Sequence, residues 1–176
     1  MTGPSSELSG YSTLPEPDLV FGDNMTHKHP LLGLIRHGPY GLKLGALSTL
    51  RVALLAPRAH MSKLTRLIEE LNGRTMPVDA KNYYPEYPGF RKLFRIPIAE
   101  QDDRLKFPMP DELEEHARNG AKIDLAKALF QSITQLTTVR GNFDVALIFL
   151  PESWAACFEG ESFDFHDYLK AYAAPS

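Results

Sequence analysis

The sequence has few of the features that mark secreted, membrane or disulfide-stabilised proteins. Its one cysteine, Cys157, allows no internal disulfide, and a reducing compartment fits best. The first residues, MTGPSSELSG, lack the basic start and apolar stretch of a secretory signal. The longest apolar run, VALIFL at 145–150, is too short to span a bilayer. These absences predict a cytoplasmic protein without a membrane segment.

The sequence also lacks a surplus of positive charge and the motifs of common enzymes. Its 19 Lys and Arg against 22 Asp and Glu give a net charge of -3. That balance excludes a histone-like mode of wrapping nucleic acid, so any nucleic-acid site must be local. A Gly-rich phosphate loop, a GxSxG elbow and an HExxH helix are all missing. We therefore expect a protein that is not an enzyme and has no catalytic residues.

Composition divides the chain into three parts. Residues 1–17 are rich in Ser, Gly, Pro and Glu, which predicts a flexible lead-in. Residues 18–50 alternate short apolar pieces with Gly and Pro, which predicts an extended arm with turns instead of a helix. Residues 51–176 carry alternating strand and helix patterns, which predicts an α/β domain.

Two apolar segments indicate the strands of this domain. RVALLA at 51–56 predicts a buried strand, followed by a helix with Ser62 as its N-cap and Asn72-Gly73 as a left-handed stop. FDVALIFLP at 143–151 has no polar alternation, which indicates burial on both faces of a parallel sheet. We expect this second segment to be the central strand.

The remaining patterns complete a layered fold. LFRIPI at 93–98 alternates like an edge strand interrupted by proline. A helical turn is predicted at 111–118, an amphipathic helix at 122–137 and a further helix from about Asp164 onwards. Alternation of strands and helices favours a Rossmann-like α/β fold with a central parallel sheet.

Five segments occur in an order that is more specific than any one of them. They are LVFG at 19–22, GLIRHGPYG at 33–41, YPGF at 87–90, LPES at 150–153 and FDFHDYLKAYAA at 163–174. Together they resemble the start and MID domain of short prokaryotic Argonautes, over roughly residues 18–174. The resemblance implies that 51–176 is a Rossmann-like MID domain that binds the 5′ phosphate of a guide strand.

The resemblance also implies partners. Short members of the family lack the nuclease tetrad and act as sensors of a target strand complementary to a small guide, RNA or DNA. A PIWI portion follows the MID domain, here expected in the same protein or in a separate chain. A separate APAZ protein fused to a sirtuin-type or TIR-type effector is the expected partner in prokaryotic immunity, an antiviral defence.

His166 and Lys170 are the expected phosphate-binding residues. Their spacing places both side chains on one face of a helix. In the resemblance, Lys170 matches the phosphate-binding lysine and His166 stands where many Argonautes have a tyrosine. No intrinsic cofactor or protein metal site is expected, while Mg²⁺ at the guide 5′ phosphate is left open. Without the resemblance, such a pair is usually a solvated helix face.

Two other functions stay open. The domain could be a structural scaffold subunit of such a complex without its own guide pocket. It could also be a nucleotide-binding enzyme of an unrelated doubly wound type, although no nucleophile or metal site favours this.

Four further groups are weaker candidates, and a structural role is favoured for each. They are the HKH triplet at 27–29, Arg36 and His37 with Lys43, the aromatic stretch Tyr83, Tyr84, Tyr87 and Phe90 with Lys81, Arg91 and Lys92, and Trp154 after a strand.

The predicted sheet is incomplete at its C-terminal side. A right-handed βαβ unit requires a further parallel strand after the last predicted helix. We therefore expect the chain to be a fragment, a split protein or part of a longer one.

Overall fold

A computed structural model describes residues 15–43, 47–79 and 84–158 of the chain. These residues form two compact units, divided between Ala46 and Leu47. The predicted helix from about Asp164 and most of the lead-in at 1–17 lie outside the described residues.

The first unit contains a short antiparallel strand pair and a helix. Strands β1 (Leu19–Val20) and β2 (Thr26–His27) pair, and helix α1 spans Pro30–His37. The helix begins here because the His29 side chain accepts a hydrogen bond from the Leu32 N–H and because Pro30 fits the first helical turn. The prediction of turns without a helix is therefore wrong for Pro30–His37.

The packing of α1 explains one glycine of the GLIRHGPYG segment. A Cβ at Gly33 would collide with the Phe21 ring, and Phe21 is buried. The glycine thus permits close approach of the helix to an aromatic side chain of the LVFG segment.

The second unit is a three-stranded parallel sheet with helices on both faces. The strand order is β4-β3-β5, in which the first strand of the unit lies between the second and the third. This arrangement is compatible with a Rossmann-like fold. In chain order, the elements are β3 (Val52–Pro57), α2 (Met61–Asn72), α3 (Phe90–Phe94), β4 (Lys106–Met109), α4 (Glu112–Arg118), α5 (Lys122–Thr137), β5 (Val145–Ile148) and α6 (Ala155–Phe158).

β3 is buried along its whole length, and its side chains alternate between two cores. Val52, Leu54 and Ala56 pack on one face with residues of α2. Ala53 and Leu55 pack on the other face with residues of α4 and α5. This two-sided burial makes β3 the central strand of the described sheet.

The prediction that 143–151 forms the central strand is therefore wrong. β5 pairs with β3 alone among the described strands, and Val145 is 40% exposed. The apolar run correctly indicated a strand of a parallel sheet, but local composition does not reveal which strand has two neighbours.

Several predicted elements are confirmed. The strand at 51–56 is β3, the helix at 111–118 is α4, and the helix at 122–137 is α5. α2 also follows β3 as predicted, but it begins at Met61 with His60 as N-cap, so Ser62 lies inside the first turn. Gly73 does end this helix, with an extended instead of a left-handed backbone (φ -80°).

The edge strand predicted at 93–98 is absent from the described residues of this segment. Phe90–Phe94 forms α3 instead, and only an isolated bridge joins Ile98 to Leu50. The third strand is β4, which is not predicted from the sequence because it has only four residues, including Pro108.

Gly89, in the YPGF segment, allows the chain entering α3 to pass close to the end of α2. Its φ is +97°, and a Cβ there would lie 2.8 Å from the carbonyl oxygen of Asn72. Both the backbone conformation and the contact therefore disfavour any side chain.

We predict that Gly89→Ala lowers the free energy of unfolding by roughly 1–3 kcal/mol from the backbone conformation alone. Urea denaturation followed by circular dichroism measures this loss. Gly141→Ala is the matched control, since no atom lies within 4 Å of its added Cβ; its effect should stay within about 0.5 kcal/mol. Equal effects of the two substitutions would contradict the packing described for Gly89.

Candidate functional site

The topology of the second unit brings the carboxyl ends of β3 and β5 side by side. The chain leaving β3 enters α2, which packs on one face of the sheet. The chain leaving β5 brings Trp154 and Cys157 into the core on the other face. In open parallel sheets, ligands bind outside the carboxyl ends at the point where connections diverge to opposite faces. The ends of β3 and β5 meet this condition.

Four residues follow these two strand ends closely in the chain, and we call them the β3–β5 cluster: Arg58, His60, Lys63 and Phe149. Arg58 and His60 belong to a 3-10 turn directly after β3, and Lys63 lies in the first turn of α2. Phe149 follows β5 directly. The Lys63 ammonium lies 5.1 Å from the centre of the Phe149 ring, and the His60 ring centre lies 5.2 Å from it. Residues from both strand ends are thus in contact.

The cluster carries positive charge. Arg58 and Lys63 are exposed and form no ion pair with another described residue, while His60 is half-buried. The positive end of the α2 dipole adds to this charge. The first acidic residue after β5 is Glu152, which is exposed. The site therefore favours an anionic ligand.

Acidic side chains at the same sheet edge lie on the opposite face. The first turn of α4 contains Glu112, Glu114 and Glu115. This helix packs with the core of α5, while α2 packs with the other core. The acidic first turn of α4 and the basic β3–β5 cluster therefore belong to opposite faces of the sheet.

His166 and Lys170, the residues predicted to bind a phosphate, lie outside the described residues. The described chain continues from β5 through α6 to Phe158, which leads towards them in sequence. The residues of the β3–β5 cluster are not among those predicted from the sequence. RAHMSK at 58–63 directly follows a predicted strand, and that position could have drawn attention to its basic residues.

The histidines of the HKH triplet serve the local turn. His29 caps α1, and its N–H lies 2.9 Å from His27 Nδ1. His27 Nε2 also lies 3.2 Å from an Arg36 guanidinium nitrogen. These contacts favour the structural role expected for the triplet and for Arg36.

The aromatic residues near α3 and the lone tryptophan are also engaged in packing. The Tyr87 hydroxyl donates to the Leu71 carbonyl at 2.8 Å, and Phe90 lies 4.5 Å from Phe94 between ring centres. Trp154 is fully buried and its indole N–H donates to Glu114 at 3.2 Å. Tyr83 and Lys81 lie outside the described residues. A structural role is therefore favoured for Trp154 and for this part of the aromatic stretch.

A cavity of about 500 Å³ lies at the opposite, amino edge of the sheet. Three of its four charged lining residues form ion pairs, because Arg104 pairs with Asp102 and Arg51 pairs with Asp144. It is lined by Arg51, Val52, Ala99, Glu100, Asp102, Arg104, Leu105, Val139 and Asn142. Its position at the amino ends is not where parallel sheets place ligands, so we assign it no binding role.

Arg51 and Asp144 join the starts of β3 and β5 at this edge. The Arg51 guanidinium donates to both carboxylate oxygens of Asp144, at 3.1 and 2.8 Å. The backbone N–H of Arg51 donates to the same carboxylate at 2.8 Å. These hydrogen bonds hold the pKa of Asp144 below its ordinary value. The contacts fix the alignment of the two strands.

Two further findings concern membrane-spanning helices and metal sites in the described residues. Within 15–43, 47–79 and 84–158, no helix combines the length and apolar character needed to cross a bilayer. In the same ranges, no three His, Cys, Asp or Glu side chains converge as a metal site would require.

The chain matches no protein-family model, and no curated protein matches it. The resemblance to short prokaryotic Argonautes therefore depends on the motif order in the sequence. What it implies for this chain is a proposal.

We predict that Asp144→Asn destabilises the protein at neutral pH, and that the difference from the unsubstituted protein shrinks as the pH falls below about 4. A lowered carboxyl pKa means that the ionised form favours the folded state. Its contribution is complete above the ordinary aspartate pKa and is lost as the pH falls through the lowered value. Thermal denaturation across the pH range measures this dependence.

Asp103→Asn is the matched control for this experiment. Asp103 also pairs with a cation, Lys106, but its side chain is 92% exposed, against 13% for Asp144. Solvent screens such an exposed pair, so its loss should change stability little. A pH-independent effect of Asp144→Asn, or one no larger than the control, would contradict the role given to Asp144.

Proposed function

We propose that this chain is the non-catalytic MID domain of a short prokaryotic Argonaute and binds the 5′ phosphate of a guide strand. The observation that carries the proposal is a parallel α/β sheet with basic side chains at its carboxyl edge, next to the strand from which the chain leads to the FDFHDYLKAYAA segment. The order of the five matched segments gives this edge its guide-binding interpretation. The proposal rests on both together.

His166 and Lys170 have the chemistry that a terminal phosphate requires. Such a phosphate is close to doubly charged and offers several acceptor oxygens. A lysine ammonium supplies a charge-assisted hydrogen bond, and an imidazole supplies a donor and a ring that can stack under a base. With histidine in place of tyrosine, protonation becomes an additional variable near neutral pH. Mg²⁺ at the phosphate is compatible with this chemistry and is not required by it.

In the proposed complex, the chain is a sensor of nucleic acid without catalytic residues of its own. Its PIWI portion belongs to the same protein or a second chain, and an APAZ protein with a sirtuin-type or TIR-type domain is the effector. A guide bound through its 5′ end would pair with a target strand.

A scaffold role without a guide pocket is the second candidate. The first unit exposes several large apolar side chains, and such residues favour contact with another protein surface. The most exposed of them are Leu19, Val20, Met25 and Tyr40. In this alternative, substitutions in the first unit disrupt assembly while loss of Lys170 leaves guide loading unchanged.

We predict that Lys170→Ala weakens binding of a 5′-phosphorylated oligonucleotide by roughly 10- to 100-fold, because a charge-assisted contact of about 1.5–3 kcal/mol is lost. Fluorescence anisotropy with 5′-phosphate and 5′-hydroxyl strands of equal sequence measures this. The unsubstituted protein should prefer the phosphorylated strand, and the substitution should remove most of that preference.

Lys127→Ala is the control, since Lys127 is an exposed lysine on α5 and its removal makes the same change in net charge. It should leave the preference for 5′-phosphate intact. Equal affinity of the unsubstituted protein for both strands would refute the proposed function.

A further inference from the structure

We propose that Glu114 is a positioning residue for guide binding: by holding the indole of Trp154, it fixes the chain that leads from β5 towards His166 and Lys170. This inference rests on the guide-binding function proposed above. It adds to that function a residue of α4, which lies outside the five segments that resemble Argonautes. Glu114 acts through Trp154 and does not itself contact the guide.

The side chain of Glu114 is the hydrogen-bond acceptor for a completely buried indole. The Trp154 N–H donates to a carboxyl oxygen of Glu114 at 3.2 Å, and Trp154 is 0% exposed. A buried N–H that loses its acceptor is costly, because water cannot replace the lost partner. The hydrogen bond therefore fixes the orientation of the indole relative to α4.

Two further contacts hold the chain that follows Trp154. The Cys157 thiol donates to the carbonyl oxygen of Ala117 at 3.5 Å, one turn after Glu114 on α4. The rings of Trp154 and Phe158 lie 6.3 Å apart between centres, in an edge-to-face arrangement. Because these contacts all involve Trp154–Phe158, they determine the path of the chain as far as the described residues reach.

The predicted phosphate-binding residues follow this anchored segment closely in the sequence. His166 comes eight positions after Phe158, and Lys170 four positions later. A binding group must be held within about 0.5 Å of its productive position, and the contacts that support it provide that precision. Loosening Trp154 would therefore weaken recognition of the phosphate while the sheet stays folded. Of the anchoring contacts, the hydrogen bond from Glu114 is the one that a substitution can remove and a similar side chain can restore.

The test compares Glu114→Ala with Glu114→Gln in the full chain. The measurement is the ratio of the affinities for 5′-phosphate and 5′-hydroxyl oligonucleotides of equal sequence, under conditions in which circular dichroism shows the variants folded. Glu114→Ala removes the acceptor and should lower this ratio by roughly 10-fold, because a displaced lysine loses its charge-assisted contact. Glu114→Gln keeps an oxygen acceptor and should restore the ratio to within about twofold of the unsubstituted protein.

A second variant removes the same hydrogen bond from the other partner. Trp154→Phe keeps an aromatic ring in the core but has no N–H to donate. It should lower the ratio as Glu114→Ala does, and adding Glu114→Ala to it should have little further effect, because the two residues act through one contact. Additive losses in the combined variant would overturn the proposal. This variant also keeps the proposal testable if Glu114→Ala does not fold.

The fluorescence of Trp154 reports the anchor directly, since it is the only tryptophan of the chain. Acrylamide should quench this fluorescence more strongly in Glu114→Ala than in the unsubstituted protein or in Glu114→Gln. A lower affinity ratio without a change in quenching would overturn the proposed action through Trp154.

The control is Glu115→Ala, which makes the same change in net charge at the next position of α4, where the side chain is exposed. It should leave both the affinity ratio and the quenching unchanged. The proposal is overturned if Glu114→Ala changes the ratio no more than this control does, or if Glu114→Gln fails to restore it.

Failure of this proposal can be distinguished from failure of the guide-binding function. If the unsubstituted protein binds 5′-phosphate and 5′-hydroxyl strands equally, the guide-binding function fails, and the role of Glu114 fails with it. If the unsubstituted protein prefers 5′-phosphate and Glu114→Ala keeps that preference, the role of Glu114 fails alone.

Discussion

The two-sided burial of β3 is the constraint on which the second unit depends. Every residue of Val52–Pro57 is buried, and the strand is hydrogen-bonded to β4 on one side and to β5 on the other. A strand buried in this way needs an apolar layer on each face, and α2 supplies one while α4 and α5 supply the other. Substitutions in β3 would therefore disturb both cores together.

The same constraint creates the candidate site. Because β3 and β5 are parallel neighbours, the segments that follow them emerge side by side at one edge of the sheet. The chain then continues to opposite faces of the sheet, which is the position at which open parallel sheets usually bind ligands. His60 and Lys63 follow β3, and both contact the ring of Phe149, which follows β5. The hydrogen bonds between Arg51 and Asp144 align the two strands at the other end.

Local patterns in the sequence were sufficient to predict some elements and insufficient for others. The periodicity of 122–137 and the apolar run at 51–56 gave α5 and β3, since these signals depend on which faces are buried. The order of the strands was not predictable, because 51–56 and 145–150 are similarly apolar and pairing is a long-range property. β4 was too short to be recognised, and α1 depends on a cap from His29 that composition does not reveal.

The candidate site was predicted only in outline for the same reason. Trp154, which follows a predicted strand, is a candidate from the sequence, yet its indole is buried and donates to Glu114. Contacts of His60 and Lys63 with Phe149 require β3 and β5 to be neighbours, which the sequence alone did not establish. His166 and Lys170 stay a prediction from motif order.

The central claim is that this chain holds a guide strand by its 5′ end. The most direct measurement is the identity and 5′ chemistry of the nucleic acid that remains bound when the protein is purified from cells with its natural partners. We expect short strands of narrow length range that become substrates for 5′ end-labelling only after phosphatase treatment. Strands of random length with 5′-hydroxyl ends, or no bound nucleic acid, would contradict the claim.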